Sequence, residues 1–213
     1  HLQMNMNMKK TVAILAFLSN VLLVLTDCQA QRGRFYGGGR VSLNLAQIDG
    51  DGIFGYNRFG LGAGVFGAAN LGSKSELHLE FLYNVRGSRY NSRSLQNVAY
   101  QLQYIDIPLL FTFKDWFVEE KKANYYKMHF QGGMYFGRLI KSASENASNL
   151  DQQFRKSDLG WILGFTYYAN VHVGLTGRFT NSVIPLIKYV NSQGEEIKMI
   201  SYFISLGLTY RFN

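Results

Sequence analysis

Cysteine is almost missing from this chain: Cys28 is the only one in 213 residues. A lone thiol closes no disulfide within the chain and builds no multi-cysteine metal site. Proline is nearly as scarce, with two residues, and helix formers do not dominate. Glycine is abundant at 22 residues and aromatics reach 15%, which together favour an all-β chain. Long apolar runs are missing after residue 25, and the mean hydropathy of −0.08 is too polar for a bundle of membrane helices. Acidic residues are fewer than basic ones, 14 against 22, for a formal net charge of +8. That balance suits contact with anionic lipid headgroups. No nucleic-acid recognition motif accompanies it.

The one long apolar run stands at the start. Met8, Lys9 and Lys10 make a positive region, and Thr11 to Leu25 is apolar apart from Ser19 and Asn20. Cys28-Gln29-Ala30 then reads as a small-residue cleavage site before Gln31, so residues 1–30 read as an N-terminal extension and secretory signal peptide, removed in the mature protein. A lipoprotein signal ending at Cys28 stays open, since Leu25 stands three residues before it, although Asp27 fits it poorly. Removal of residues 1–30 leaves residues 31–213 as one domain, and cleavage after Ala30 leaves it no thiol nucleophile.

What remains is alternation. In "SELHLEFLYNVRG", Leu77, Leu79, Phe81, Tyr83 and Val85 share one parity, while Glu76, His78, Glu80, Asn84 and Arg86 share the other. A strand presents such parities to opposite faces. The pattern recurs in "RVSLNLAQ", "RFGLGAGVFG", "YIDIPLLFTF", "YKMHFQGGMYFG", "DLGWILGFTYYAN", "VHVGLTGRFT" and "ISYFISLGLTYRF". About eight strands of roughly ten residues each suit an eight-stranded antiparallel up-and-down transmembrane β-barrel. Long polar segments near 47–57, 87–98, 140–156 and 183–196 read as extracellular loops. Short ones near 70–75 and 169–171 read as periplasmic turns, which puts both mature termini in the periplasm. Lys114 to Asn124 reads as an over-long periplasmic turn anchored by Trp116 and Phe117.

Aromatics sit at both ends of the apolar parity: Phe113, Tyr126, Tyr167, Tyr210 and Phe212 at one, Phe59, Tyr83, Phe136, Trp161, Phe179 and Tyr202 at the other. Two girdles around an aliphatic band mark lipid as the solvent of that face. A soluble lipid-binding barrel would reverse the faces and leave the girdles unexplained. The other parity then lines the lumen, with Arg40, Lys127, Arg178 and Arg211 against Glu76, Glu80, Asp106 and Asp158, accompanied by His78, His129 and His172. Charges in so narrow a lumen require partners.

Those histidines also raise the question of catalysis. A nucleophile–His–acid set needs a hydroxyl within reach, and Thr176, Ser201 and Ser205 form no recognisable motif with them. Lumen hydrogen bonding is the reading adopted, with no enzyme activity, cofactor or metal expected. The Asp49–Gly52 "DGDG" resembles a calcium loop, but Gly60 stands where its twelfth-position acid belongs. Asn146-Ala147-Ser148 matches a glycosylation sequon, a short pattern that carries little weight by itself.

At the end of the chain, "SLGLTYRF" places Ser205, Gly207, Tyr210 and Phe212 at the positions of the C-terminal β-signal read by the barrel-assembly machinery, with Asn213 one residue beyond. "LQYIDIPLLFTF" (Leu102 to Phe113) is similar to the "Y-L-E-I-P-L-L" segment of the PorT-like outer-membrane β-barrel domain family of Gram-negative bacteria, with Asp106 where Glu is usual. The resemblance covers about residues 33–213. It implies an integral outer-membrane location and a link to protein secretion or assembly machinery, since the name-giving member is implicated in type IX secretion. Outer-membrane lipid, the assembly machinery and other envelope proteins docking on the four loops are the partners expected. A barrel hydrolase acting on lipid or peptide, and a small solute channel, are the competing functions.

Overall fold

The computed structural model describes residues 34–49, 58–90, 98–119, 124–145, 154–190, 194 and 196–212. The expected signal peptide, the sequon at Asn146 and the "DGDG" residues after Asp49 lie outside them.

Among the described residues nine strands follow in order: β1 Phe35–Asp49, β2 Arg58–Asn70, β3 Ser75–Tyr90, β4 Val98–Glu119, β5 Asn124–Glu145, β6 Ser157–Tyr168, β7 Val173–Ser182, β8 Ile187–Val190 and β9 Glu196–Arg211. Each of β1 to β7 pairs antiparallel with its neighbour in sequence, β9 pairs with β7, and β1 closes the sheet on β9. Eight strands therefore make the wall. The short β8 continues the β7 edge against the outer end of β9. Between Asn181↔Tyr202 and Ile187↔Met199, six residues advance on one side for three on the other. Pro185 stands in this irregular stretch, where a residue without an N–H costs no ladder bond.

Five connections are shorter than their polarity suggests: β1 runs on to Asp49 inside the expected 47–57 loop, and β3 runs on to Tyr90 inside the expected 87–98 loop. Part of the expected 183–196 loop is the β8–β9 hairpin, and part of the 140–156 loop is the continuation of β5 to Glu145. Most of the expected turn from Lys114 to Asn124 is strand, because β4 runs on to Glu119 opposite Asn124. Charged residues there looked like a turn because beyond the rim neither face of a hairpin needs to be apolar.

The alternation decides which side faces what. Leu79, Phe81, Leu109, Phe111, Leu163, Leu206 and Leu208 are about half exposed on the outer wall, whereas Glu76, Glu80, Asp106 and Asp158 are at most 2% exposed. Apolar outside and charged inside is the reverse of a water-soluble barrel. Both expected aromatic rows lie on the outer parity, and Trp161, Phe179 and Tyr202 form a chain of ring contacts, at 5.4 and 6.3 Å, across β6, β7 and β9.

Two interruptions have clear causes. The β3–β4 ladder skips from Leu79↔Leu109 to Leu82↔Asp106, while β5 pairs with β4 straight through Pro108↔Tyr135. Pro108 lacks the N–H that β3 would accept, so a proline survives inside a wall by opening one side of it. Near the chain-terminal end, Trp116 adopts φ of 59°, a left-handed conformation rare for a bulky residue, and its pairing to Lys127 is lost.

Candidate functional site

The lumen is built in layers. At the end carrying both chain termini, the Glu76 carboxylate accepts from Tyr36 Oη at 2.5 Å, Lys114 Nζ at 2.9 Å and His78 Nε2 at 3.0 Å. His129 Nδ1 stands 3.8 Å from the same carboxylate, and its ring meets Tyr168 at 4.6 Å. The next layer centres on Glu80. Arg178 donates to both of its oxygens at 2.7 Å, and Arg40 donates to Oε2 at 3.2 Å. Gln131 accepts from Arg178 at 2.7 Å, and Thr176 links Thr166 to Thr209 through two hydroxyl bonds of 2.8 Å. This two-pronged geometry is what a guanidinium does best against a carboxylate.

Above it, Arg86 holds two acids at once. Its Nη2 donates to Asp106 Oδ1 at 2.5 Å and its Nη1 to Asp158 Oδ2 at 2.7 Å. Its guanidinium lies 4.1 Å from the centre of the Tyr104 ring. Asn84 adds a bond to Asp106 at 2.8 Å; Tyr135 and Ser182 donate to Asp158 at 2.8 and 3.0 Å. Every buried acid therefore has a basic partner, the condition under which ions survive away from water. Between the Glu80 and Asp106 layers lies a cavity of about 20 Å³, bordered by Arg40, Asn84, Asp106, Thr176 and Arg178, room for roughly one water molecule.

The loop end is different in kind. Ile48, Leu102, Tyr104, Phe154, Leu186, Ile187 and Met199 form an apolar plug over the charged layers. Phe154 and Leu186 enter it from irregular segments tied together by the Arg155 N–H donating to the Leu186 carbonyl at 2.9 Å.

Of the eleven charged and histidine positions expected in the lumen, Arg40, Glu76, His78, Glu80, Asp106, His129, Asp158 and Arg178 are buried there. Three stand apart from the ion pairs. Lys127 keeps its inward parity but lies beyond the rim, where its ammonium sits 5.5 Å from the ring of Trp116. His172 belongs to the turn before β7, stacks on Tyr210 at 5.7 Å and reaches the Arg211 carbonyl at 3.1 Å. Arg211 covers the ring of Tyr36 at 3.8 Å. Two cations of the network, Arg86 and Lys114, were not singled out. Parity alone places Arg86 beside Glu80, whereas Lys114 was hidden by its placement in a turn. Thr176, weighed as a nucleophile, is engaged with two other threonines. Of the β-signal positions, Ser205 is buried, Gly207 faces inward, and Tyr210 and Phe212 are half exposed outside.

The family model described as outer membrane protein beta-barrel domain matches residues 28–188. The chain belongs to this family. It is accordingly an integral outer-membrane β-barrel protein, and its apolar outer wall is the surface that meets lipid. Among solved structures, this outer-membrane barrel is similar to the attachment invasion locus protein Ail of Yersinia pestis, at 12% identity over 84% of this chain and 99% of that one, with a TM-score of 0.46. It is also similar to Neisserial surface protein A, at 11% identity over 84% and 97%, with a TM-score of 0.45. OprG from Pseudomonas aeruginosa is matched at 11% identity over 84% and 94%, with a TM-score of 0.42. No curated protein matches the chain.

Proposed function

We propose that this barrel is a non-enzymatic, non-conducting component of the outer membrane that works through its loops as a structural or partner-binding element. The observation that carries the reading is the filled lumen: among the described residues, three charged layers, a cavity of about 20 Å³ and an apolar plug occupy the space inside the wall. The similarity of "LQYIDIPLLFTF" to the PorT-like segment favours a partner within secretion or assembly machinery. Short connections at the end with both termini support a periplasmic placement of that end, after removal of residues 1–30. The loops within 47–57, 87–98, 140–156 and 183–196 would meet partners on the other side.

Wild-type protein in planar bilayers should stay near the leak level. The same preparation should migrate differently on gels before and after boiling, as a closed barrel does. Single-channel currents from heat-modifiable protein would overturn the closed-lumen reading.

Assembly recognition is proposed for Ser205, Gly207, Tyr210 and Phe212. Phe212→Ala should lower outer-membrane abundance severalfold, while deletion of Asn213 should leave it nearly unchanged. Equal abundance of the Phe212→Ala variant and the wild type, measured by quantitative blotting of membrane fractions, would remove the β-signal assignment.

A further inference from the structure

The β1–β9 seam is held by more than its ladder. Tyr210, Arg211 and Phe212 each place a side chain on a different partner. The Tyr210 ring stacks on His172 of the turn before β7, with centroids 5.7 Å apart. Arg211, on the inward parity, lays its guanidinium 3.8 Å from the centre of the Tyr36 ring. Tyr36 in turn donates to Glu76 at 2.5 Å, in the first charged layer of the lumen. Backbone bonds clamp the same residues from both sides. The Arg211 N–H donates to the His172 carbonyl and the Phe212 N–H to the Gly37 carbonyl, both at 2.8 Å.

The Phe212 ring accounts for part of a run of three glycines in β1. Gly38 faces inward, and a β-carbon there would collide with the Phe66 ring and the Tyr210 carbonyl oxygen, so lumen packing excludes any side chain. Gly37 and Gly39 face outward, on the parity that continues as Val41 and Leu43, and neither takes a left-handed φ. A β-carbon would fit at both. On Gly37 it would lie 3.8 Å from Phe212 Cδ2, and on Gly39 3.9 Å from Phe212 Cζ. The ring therefore spans both glycines, and its own exposure of 52% leaves its other side to lipid. Lipid by itself asks for no glycine on an outer wall, and glycine weakens a strand interior. An aromatic ring laid across glycines of the neighbouring strand restores the packing that the missing side chains give up.

We propose that Tyr210, Arg211 and Phe212 form a latch across the seam of the finished barrel, and that Tyr36, Gly37, Gly39 and His172 are its built-in receptor. Phe212 is the outer arm, seated on bare β1 backbone. Arg211 is the inner arm, joined through Tyr36 to the Glu76 layer. This role is separate from any recognition of the same residues during assembly. The seat works only while its two outward glycines stay bare. Valine at those positions raises strand propensity yet pushes the ring away, so the latch predicts a loss where ordinary strand chemistry predicts a gain.

The test folds the mature chain, residues 31–213, from urea into detergent micelles with no assembly machinery present. Amide hydrogen exchange, followed by nuclear magnetic resonance, then reads the protection of positions 211 and 212 directly. Phe212→Ala and Gly37→Val/Gly39→Val should each lower that protection severalfold while leaving the β4–β5 ladder unchanged. Phe212→Trp, which keeps a flat ring, should retain wild-type protection. Gly67→Val serves as the control, because a β-carbon on this outward glycine of β2 would meet nothing within 4 Å. It should leave both amides as they are. Should the double variant not fold, Gly39→Val is read in its place, with heat modifiability as the folding check. Wild-type protection in folded Phe212→Ala or in the folded seat variant overturns the proposal, and so does an equal loss in Gly67→Val. With no machinery in the sample, such a result leaves the assembly assignment of Phe212 standing, since that rests on abundance in cells.

Discussion

Arg86→Met should destabilise the barrel by about 3–5 kcal/mol, the range found when one member of a buried ion pair is removed. The expectation follows from the fork at this residue. One fully buried guanidinium holds Asp106 at 2.5 Å and Asp158 at 2.7 Å, so its loss strands two carboxylates rather than one. Methionine keeps much of the length and can still lie against Tyr104, which isolates the charge from the packing. Asn84, Tyr135 and Ser182 would continue to donate to the acids, but neutral donors do not cancel two negative charges in a dry space. The triple variant Arg86→Met/Asp106→Asn/Asp158→Asn should recover most of the loss. Urea titration followed by tryptophan fluorescence reads both effects, and a single variant as stable as wild type would show that these charges are hydrated.

Glu80→Ala should cost far more than Leu79→Ala, although the two residues are adjacent. Glu80 stands between Arg178, bound to both of its oxygens, and Arg40, so truncation leaves two guanidinium groups facing each other without their counter-ion. A penalty of about 3 kcal/mol or more is expected. Leu79 is 47% exposed on the lipid wall and exchanges side-chain contact for acyl-chain contact. In an ordinary protein the leucine would be the sensitive position. A spin label at position 80 that reports lipid, or at 79 that reports a polar lumen, would invert this assignment of the faces.

The wall was legible in the sequence because lipid imposes one rule on every outward position. Leu77 through Val85 satisfy it and so does Ile200 through Phe212, with no need to know any neighbour. The lumen was legible as a set of charges but less so as a set of pairs. Arg86 obeys the parity of Glu80, yet its two partners come from β4 and β6, whose stagger against β3 is a property of the closed sheet. Lys127 shows the converse: its parity is inward, but it lies where the β4–β5 hairpin has outrun the other strands, so there is no lumen left to face. Hidden altogether was the apolar plug, because Phe154 and Leu186 reach it from segments without periodicity.

The seam between β1 and β9 carries a consequence in time. Gly38 pairs with Arg211, so the first wall strand waits for β9 before its second edge is covered. Every other neighbour in the wall is joined by a single connection, or in the case of β7 and β9 by the stretch that carries β8, but this join spans almost the whole domain. A chain arrested before β9 would hold two raw edges, β1 and β7, each presenting backbone amides and carbonyls that lipid cannot satisfy. Insertion by stages is therefore costly until the final strand arrives, and the same strand must seal both edges at once. Synthesis runs from the first strand to the last, whereas commitment to the membrane runs from the last strand back to the first.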